Sequence, residues 1–448
     1  MSAPCKAEAA RVTLAPRVDR DWAYLVQPDR IHQSLYTDPA LFPHEMTKLF
    51  GGLWTYLCHE SELPAANAFK RVRLGLRPVV MTRDKSGAIH GLFNRCAHRA
   101  ATICQDDTGA TARFTCPYHG WTYANDGRLI GVPFDDGYGD AFDKSLHGLR
   151  RIPRIEAYRG FVFGTLNPDM PSLADHLGAA TELIDEFIGR APGGEIVLGA
   201  GSFRGVFGGN WKLVFDNAAD GYHPAFSHRS IMDMTRIRNG GDKGGRHFAT
   251  NPDNSPMYCK AYPNGHGLLH QRPGMGNSLW DRVRPTPGSE AQVASLVARL
   301  GEDGARAALE GVPGGGINLN IFPNLLLIGN QVQVVEPLVH DRTQLSWYAT
   351  TLKGAEPEVN QLRMRVAEDF PILGETDDLE MFERCWEGMR AEEAEWVMCG
   401  RGSHRADADT LDPVTGVRTV PPTDEAPMRN FYRHYADTLS RETKLVVA

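Results

Sequence analysis

A chain of 448 residues with 23% charged and 42% hydrophobic residues and a formal net charge of −7 has the make-up of an ordinary globular protein, long enough for two or three domains. The mild acidity and the lack of a long basic block argue against a nucleic-acid partner, and no stretch reaches the roughly 20 apolar residues that span a bilayer. Eight cysteines, in a chain whose first residues MSAPCKAEAARVTL hold no apolar targeting core, fit reduced thiols or metal ligands better than a disulfide frame, so the expected compartment is the cytoplasm.

In chain order, residues 1–37 read as a polar arm. Asp38 resembles a helix N-cap, and a short helix is expected over about Ala40–Phe50, stopped by Gly51-Gly52. From Trp54 to Leu166, short β-rich runs (WTYLC, FKRVRL, PVVMTR, IHGLFN, RFTC, GWTYAN, GFVFGTL) alternate with turn residues, which predicts an antiparallel β domain. Beyond Pro168 a helix is expected over Ser172–Ile188, capped by Ser172. Residues 235–290 are rich in Gly, Pro and Asn and too long for a simple connection, so they read as a functional lid or a disordered loop. Ala291–Leu300 is helical and continues less surely to Glu310. Ile317-x-Leu319-x-Ile321, Val332-x-Val334 and LSWYATTL (345–352) alternate as half-buried strands, and a helix follows over Asp377–Arg390. Strands flanked by helices at both ends predict an α+β domain with its sheet wrapped around a pocket. No internal repeat or low-complexity tract is visible, and the pattern over 403–448 specifies no shape.

Two stretches carry chemistry. Cys96-Ala97-His98 and Cys116-Pro117-Tyr118-His119 each offer one thiolate and one imidazole, with seventeen residues between them. Zinc sites more often pair cysteine with cysteine and histidine with histidine, whereas interleaved Cys and His suit a [2Fe–2S] cluster with the cysteines on one iron and the histidines on the other. Zinc and a metal-free buried core are the competing readings, and Cys104 between the loops reads as packing. The second stretch, NWKLVFDNAADGYHPAFSH (210–228), opens as an amphipathic helix. Asp220 and His223 are three apart and would share a helix face, while His228 lies five beyond His223. A break at Pro224 would let both imidazoles converge on one metal, with Asp220 hydrogen-bonded behind the first. Fe(II) held by two histidines needs a carboxylate to complete a facial triad, and Glu375-Thr376-Asp377-Asp378 is the candidate source. Asp377 also reads as a cap for the following helix.

The stretch NRCAHRAATICQ with FTCPYHGWTYANDGRL resembles the Rieske domain of the aromatic ring-hydroxylating oxygenases, and 210–228 resembles their mononuclear-iron helix. The resemblance implies an α+β large (alpha) subunit: an arm over 1–40 associated with the catalytic domain, a β-rich Rieske [2Fe-2S] domain over 41–167, and a catalytic mononuclear-iron domain over 168–448. It puts Cys96, His98, Cys116 and His119 on the cluster and His223 and His228 on the iron. Asp378, followed five residues later by Glu383, fits the family's acidic ligand, with Asp377 second. Asp220 falls on the aspartate that connects an iron histidine to a Rieske histidine of the neighbouring subunit. The family usually shows Glu-Asn before that aspartate, where this chain has Asp216-Asn217; Asn217 is a substrate-pocket candidate that capping or core hydrogen bonding would explain equally.

The DNAADGYH wording is similar to the benzoate, anthranilate and salicylate branch, which implies cis-dihydroxylation of an aromatic carboxylic acid. Monooxygenation or oxidative demethylation is the alternative. Arg363, Arg390 and Arg401 are candidates to hold the carboxylate, although a solvated surface explains them better, and Tyr222, beside His223, reads as core, with packing near the Asp220 bridge as the alternative. Further implications are a ferredoxin or NAD(P)H-dependent reductase as donor, and a trimer of this chain with a small β subunit (α3β3) or without one (α3). An electron carrier with an unloaded second domain and a zinc-stapled binding protein are the rivals from other classes.

Overall fold

The computed structural model describes residues 11–231, 233, 256–271, 288–309 and 316–447. They divide into two units. One holds His44–Leu173 with the described residues before Val18 and from Arg441 onward; the other holds Val18–Pro43 and Ala174–Ser440.

In the first unit, Arg77–Arg83 pairs antiparallel with Ala68–Leu74 and Ile89–Phe93, and Thr108–Ala110 adds an edge. Gly75-Leu76 closes the first hairpin, with Gly75 at φ +59, a conformation glycine adopts without a steric penalty. A second sheet orders Arg154–Tyr158, Phe161–Thr165 and Thr55–His59, and a small third one orders Leu129–Gly131, Thr122–Ala124 and Arg113–Thr115. The seven runs expected over 54–166 are all strands here. Phe69, Leu92, Phe114, Trp121 and Tyr123 form one core with Cys96 and Cys116. Residues 1–37 are not simply a polar arm: Arg11–Ala15 pairs with Thr443–Val447, more than four hundred residues away. Neither edge strand has a local partner, so no periodicity within 1–37 reveals the pairing.

In the second unit, nine antiparallel strands among the described residues form one sheet, ordered Ser202–Phe207, Arg342–Ala349, Gln331–Val339, Leu325–Ile328, Ile317–Ile321, Gly267–His270, Tyr258–Ala261, Arg418–Val420, Thr410–Leu411. The hairpin Tyr258–Ala261/Gly267–His270 lies inside the stretch expected as loop; 234–255 and 272–287 fall outside the described residues. The helix Ser289–Leu309 runs past Gly301, which kinks it at φ +75. The expected helix over 172–188 is instead Leu173–Leu177, a 3-10 turn and Thr181–Gly189, broken where Gly178 takes φ +51. Near the N-terminus the helix is Phe42–Lys48, and Asp38 accepts from Ala40 N–H rather than capping it. The C-terminal stretch, unreadable in sequence, contains the amphipathic helix Ala426–Ser440. Its Phe431 stacks on Phe215 (5.3 Å, 18°) and meets Trp211 edge-on, which anchors the helix Lys212–Ala218.

Two buried histidines fasten this unit. His266 Nε2 donates to His176 O at 2.8 Å and its Nδ1 accepts from Phe322 N–H at 3.0 Å, an arrangement only the neutral ring can make. Burial holds His266 down at about 4 against an ordinary 6.5. Because the folded pKa is the lower one, its stabilisation is complete above pH 6.5 and drains as pH falls toward 4. We expect a loss on the order of 3 kcal/mol across that window. Urea midpoints measured from pH 7 to 4.5 should fall more steeply for the native chain than for His266→Gln; equal slopes would refute the assignment.

Candidate metal centres

The two cysteine–histidine loops of the first unit are built alike. Cys96 O accepts from Ala100 N–H (3.0 Å) and Cys96 N–H donates to Ala101 O (2.8 Å); Cys116 O accepts from Gly120 N–H (3.0 Å) and Cys116 N–H donates to Trp121 O (2.8 Å). Each loop turns through a left-handed residue four after its cysteine, Ala100 at φ +63 and Gly120 at φ +73. The His98 and His119 rings lie 4.5 Å apart at 71°, and His98 stacks on Trp121 at 5.1 Å. Cys96 and Cys116 are buried, while both histidines are half-buried.

The donor set fits a [2Fe–2S] group on two counts. His98 Nδ1 is a buried nitrogen with no hydrogen-bond partner, as a ligating atom is when its metal is left out of the count. The two thiols lie toward the core and the two imidazoles toward solvent, so softer and harder donors are already sorted by side. Tyr123 was not singled out from sequence. Its hydroxyl accepts from Ala97 N–H at 3.0 Å, which leaves its own proton for Cys96 Sγ at 3.2 Å. Cys104 is buried, with Sγ directed at Asp106 O (3.5 Å).

In the second unit the helix Lys212–Ala218 ends before Asp220, and a second helix starts at Pro224, its first residue, with His228 at its end. The break therefore precedes Pro224, which begins a helix because its missing N–H is no loss there. Gly221 N–H donates to Pro422 O at 2.9 Å, and a Cβ on Gly221 would come within 2.5 Å of that oxygen, so only glycine allows this approach. Asp220 and His223 meet in the loop rather than on a helix face. Asp220 Oδ2 faces His223 Nδ1 at 3.0 Å and accepts from its backbone N–H at 3.1 Å, while Oδ1 accepts from Tyr222 N–H at 2.6 Å.

His223, His228 and Asp378 offer ligand atoms that all lie within 4.8 Å of one another. The Nε2 atoms of His223 and His228 stand 3.6 and 3.4 Å from Asp378 Oδ1. Each histidine thus turns Nε2 inward and keeps Nδ1 for an outer carboxylate, Asp220 behind His223 and Asp377 behind His228 at 3.4 Å. That division of labour is the usual one around a ligated imidazole. Asp377 lies in the first turn of the helix Glu375–Gly388, whose N-cap is Gly374, so it is not the cap. Its outer position was missed in sequence, although every ligating histidine calls for a partner on its second nitrogen.

Asn217 Nδ2 donates to Asp378 Oδ1 at 3.1 Å. Burial opposes a charge on His228, yet Asp378 and Asp377 together push its pKa above the ordinary value. A field that favours a proton on an imidazole favours a dication in the same place. Close by, burial and the charge of Asp378 raise Glu375, which accepts from Gln333 Nε2 at 2.7 Å. Asp216 is half-buried, desolvation raises it to about 7, and it accepts from Tyr36 (2.8 Å) and Tyr432 (3.4 Å). Of the arginines, Arg390 pairs with Glu387 on the surface and Arg401 lies 4.4 Å over the Tyr222 ring. Arg363 is buried rather than solvated, because Thr350 takes both its Nε and Nη2. None of the three engages His223, His228 or Asp378. Tyr222 is 44% exposed, which corrects its reading as core.

Comparison with known proteins gives two family matches: Ring hydroxylating alpha subunit (catalytic domain) over 195–441, and Rieske [2Fe-2S] domain over 53–147. The chain is 34% identical to 2-halobenzoate 1,2-dioxygenase large subunit of Burkholderia cepacia, covering 84% of this chain and 80% of that one. It is 35% identical to toluate 1,2-dioxygenase subunit alpha of Pseudomonas putida, covering 80% and 79%. Among solved structures it resembles naphthalene 1,2-dioxygenase from Rhodococcus sp. bound to indole, with TM-score 0.76 and 27% identity over 92% of this chain and 94% of that one.

Proposed function

The chain belongs to the Rieske-type aromatic ring-hydroxylating dioxygenases as an alpha subunit, with a Rieske [2Fe-2S] domain and a mononuclear-iron catalytic domain, and on that premise we propose that it cis-dihydroxylates an aromatic carboxylic acid. The observation that carries the substrate class is its likeness, over four fifths or so of its length, to relatives named for 2-halobenzoate and toluate. No described helix is long and apolar enough to cross a membrane.

We assign Cys96, His98, Cys116 and His119 to the cluster and His223, His228 and Asp378 to the iron. The repeated loop, the orphaned His98 Nδ1 and the three converging ligand atoms support this. When bound, the cluster supplies electrons singly and the ferrous ion supplies O2 activation. The protein's share is placement. Asp220 and Asp377 fix the tautomer and tilt of the two imidazoles, and Asn217 steadies the Asp378 carboxylate through its Oδ1. Because it touches Asp378, we retain Asn217 as a pocket residue in the proposal. Oxygenase components of this family take electrons from a ferredoxin or a reductase; a trimer of this chain, with a small β subunit as α3β3, is part of the proposal.

Incubation of the reconstituted enzyme with a panel of aromatic acids under labelled O2 tests the reading. Both oxygen atoms in a diol of a carboxylated ring are expected. One labelled atom would mean monooxygenation, and preferential turnover of uncharged hydrocarbons would overturn the substrate class.

Tyr123 provides a separate check on the cluster. Its hydroxyl donates to a sulfur that gains negative charge on reduction, so Tyr123→Phe should lower the midpoint potential by about 20–60 mV. The visible spectrum should remain. A potential that does not move in redox titration would remove Tyr123 from the account.

A further inference from the structure

The second unit buries a cation that none of the described residues neutralises. Arg190, at the C-cap of the helix Thr181–Gly189, is only 5% exposed, and its Nε and Nη2 have no hydrogen-bond partner. Burial pulls its guanidinium down to about 10, so it stays charged at neutral pH, and among the described residues no acidic side chain offsets the effect. An arginine buried in this way is expensive unless something pairs with it. The two orphaned nitrogens form one edge of the guanidinium, the edge that takes a carboxylate or a phosphate through two parallel hydrogen bonds.

Its surroundings add donors rather than acceptors of charge. Gln292 Nε2 donates to Arg190 O at 3.3 Å, which ties the start of the helix Ser289–Leu309 to this point. Ser289 is three residues earlier on the same helix face, fully buried, with its Oγ also unpartnered. The free N–H groups of that first turn add the positive end of a helix dipole. A Cβ on the preceding Gly288 would lie 2.7 Å from Cβ of the exposed Glu356 and 3.5 Å from Val359 Cγ2, and Arg363 follows Val359 by one turn. Arg363 is close enough to Arg190 for the two cations to oppose each other, which together with burial lowers Arg363 to about 9. His270, at the end of its strand, feels Arg190 as well; burial holds it near 4, and its Nδ1 is buried without a partner. The unmatched groups are therefore a guanidinium edge, a hydroxyl and a neutral imidazole nitrogen.

We propose that Arg190, with Ser289 at the start of the helix tied to it by Gln292, anchors a buried binding site for a small oxyanion, a carboxylate or an inorganic phosphate. Neither residue is hydrogen-bonded or ion-paired to His223, His228 or Asp378, and the site does not depend on which arene is oxidised. A multidentate anion satisfies the guanidinium edge, the Ser289 hydroxyl and the helix N–H groups together; a water molecule satisfies the hydrogen bonds and leaves the charge.

Thermal unfolding of the metal-loaded enzyme tests this, in Tris chloride at fixed ionic strength with sodium phosphate, acetate, benzoate or further chloride added. Phosphate or a carboxylate should raise the midpoint by several degrees above the chloride control, and Arg190→Met should lose that response. In chloride alone, Arg190→Met should be at least as stable as the native chain, since it discards an unpaired charge. A phosphate response assigns the inorganic anion, and a response limited to acetate or benzoate assigns the carboxylate. Should Arg190→Met not fold, Ser289→Ala decides, with an expected loss of roughly tenfold in apparent affinity. Equal responses in native and variant chains, or no response beyond chloride, would overturn the site.

Discussion

Replacing Asp378 by alanine is expected to stop product formation and to lower the iron content from about three to about two per chain, with acid-labile sulfide unchanged at about two. The expectation follows from where the carboxylate stands. Asp378 is 4% exposed, and its Oδ1 is the atom toward which both His223 Nε2 and His228 Nε2 point. Without it, two neutral imidazoles would have to hold a dication alone. Even outer partners of ligating residues cost 10- to 100-fold when removed, so turnover should drop by at least about 100-fold. Asp377 cannot take over, because its carboxylate faces His228 Nδ1, the far side of that ring. Asp377→Ala should therefore weaken iron binding more mildly and leave the content near three at saturating Fe(II). If Asp377→Ala lost the iron and Asp378→Ala kept it, the ligand assignment would be exchanged. Metal analysis with visible spectroscopy reads both variants, the cluster spectrum serving as the internal control for folding.

The sequence made these groups legible to different degrees, for physical reasons. Cys96, His98, Cys116 and His119 stood out because a thiolate and an imidazole recur two and three residues apart, each pair followed by the same turn. Asp378 required a register borrowed from a resemblance, since an acidic pair opening a helix is ordinary in itself. Asp377 was ambiguous until the direction of each histidine ring was known, which is a tertiary fact. Tyr123 and Arg190 gave no local signal. A tyrosine alternating along a strand looks like core, and an arginine at a helix end looks like a favourable dipole partner at the surface. In the first unit the local strand pattern sufficed, because hairpin neighbours pair with one another. It failed where partners are remote, as for Arg11–Ala15 with Thr443–Val447 and Arg30–His32 with Trp396–Met398. Pro224 shows the same limit: the sequence marks a discontinuity, and only the backbone shows whether a helix is ending there or starting.

The second large effect is expected at Asp220. Its two oxygens receive three contacts from two nearby residues: the backbone N–H groups of Tyr222 and His223 and the His223 imidazole. Asp220 thus has two separable jobs, shaping the loop that presents His223 and placing a negative charge against its Nδ1. Asp220→Asn keeps one oxygen able to accept and removes the charge, and its amide nitrogen takes the place of the second acceptor. Asp220→Ala removes both. The family resemblance adds a third job, the connection from this histidine to a Rieske histidine of a neighbouring subunit, which requires the side chain but not the iron-binding geometry. We therefore expect Asp220→Ala to retain about three irons per chain while turnover falls on the order of 100-fold. Re-oxidation of the pre-reduced cluster by O2 and substrate should slow in the same proportion. If Asp220 acted only by shaping the loop, Asp220→Asn would recover most of the turnover and cluster re-oxidation lost in Asp220→Ala, because one of the two backbone contacts survives. We expect it to recover little of either, since the carboxylate charge against His223 Nδ1 is lost in both variants. Metal loss in Asp220→Ala would instead reduce Asp220 to a support for His223, and undiminished turnover in that variant would exclude it from electron delivery altogether.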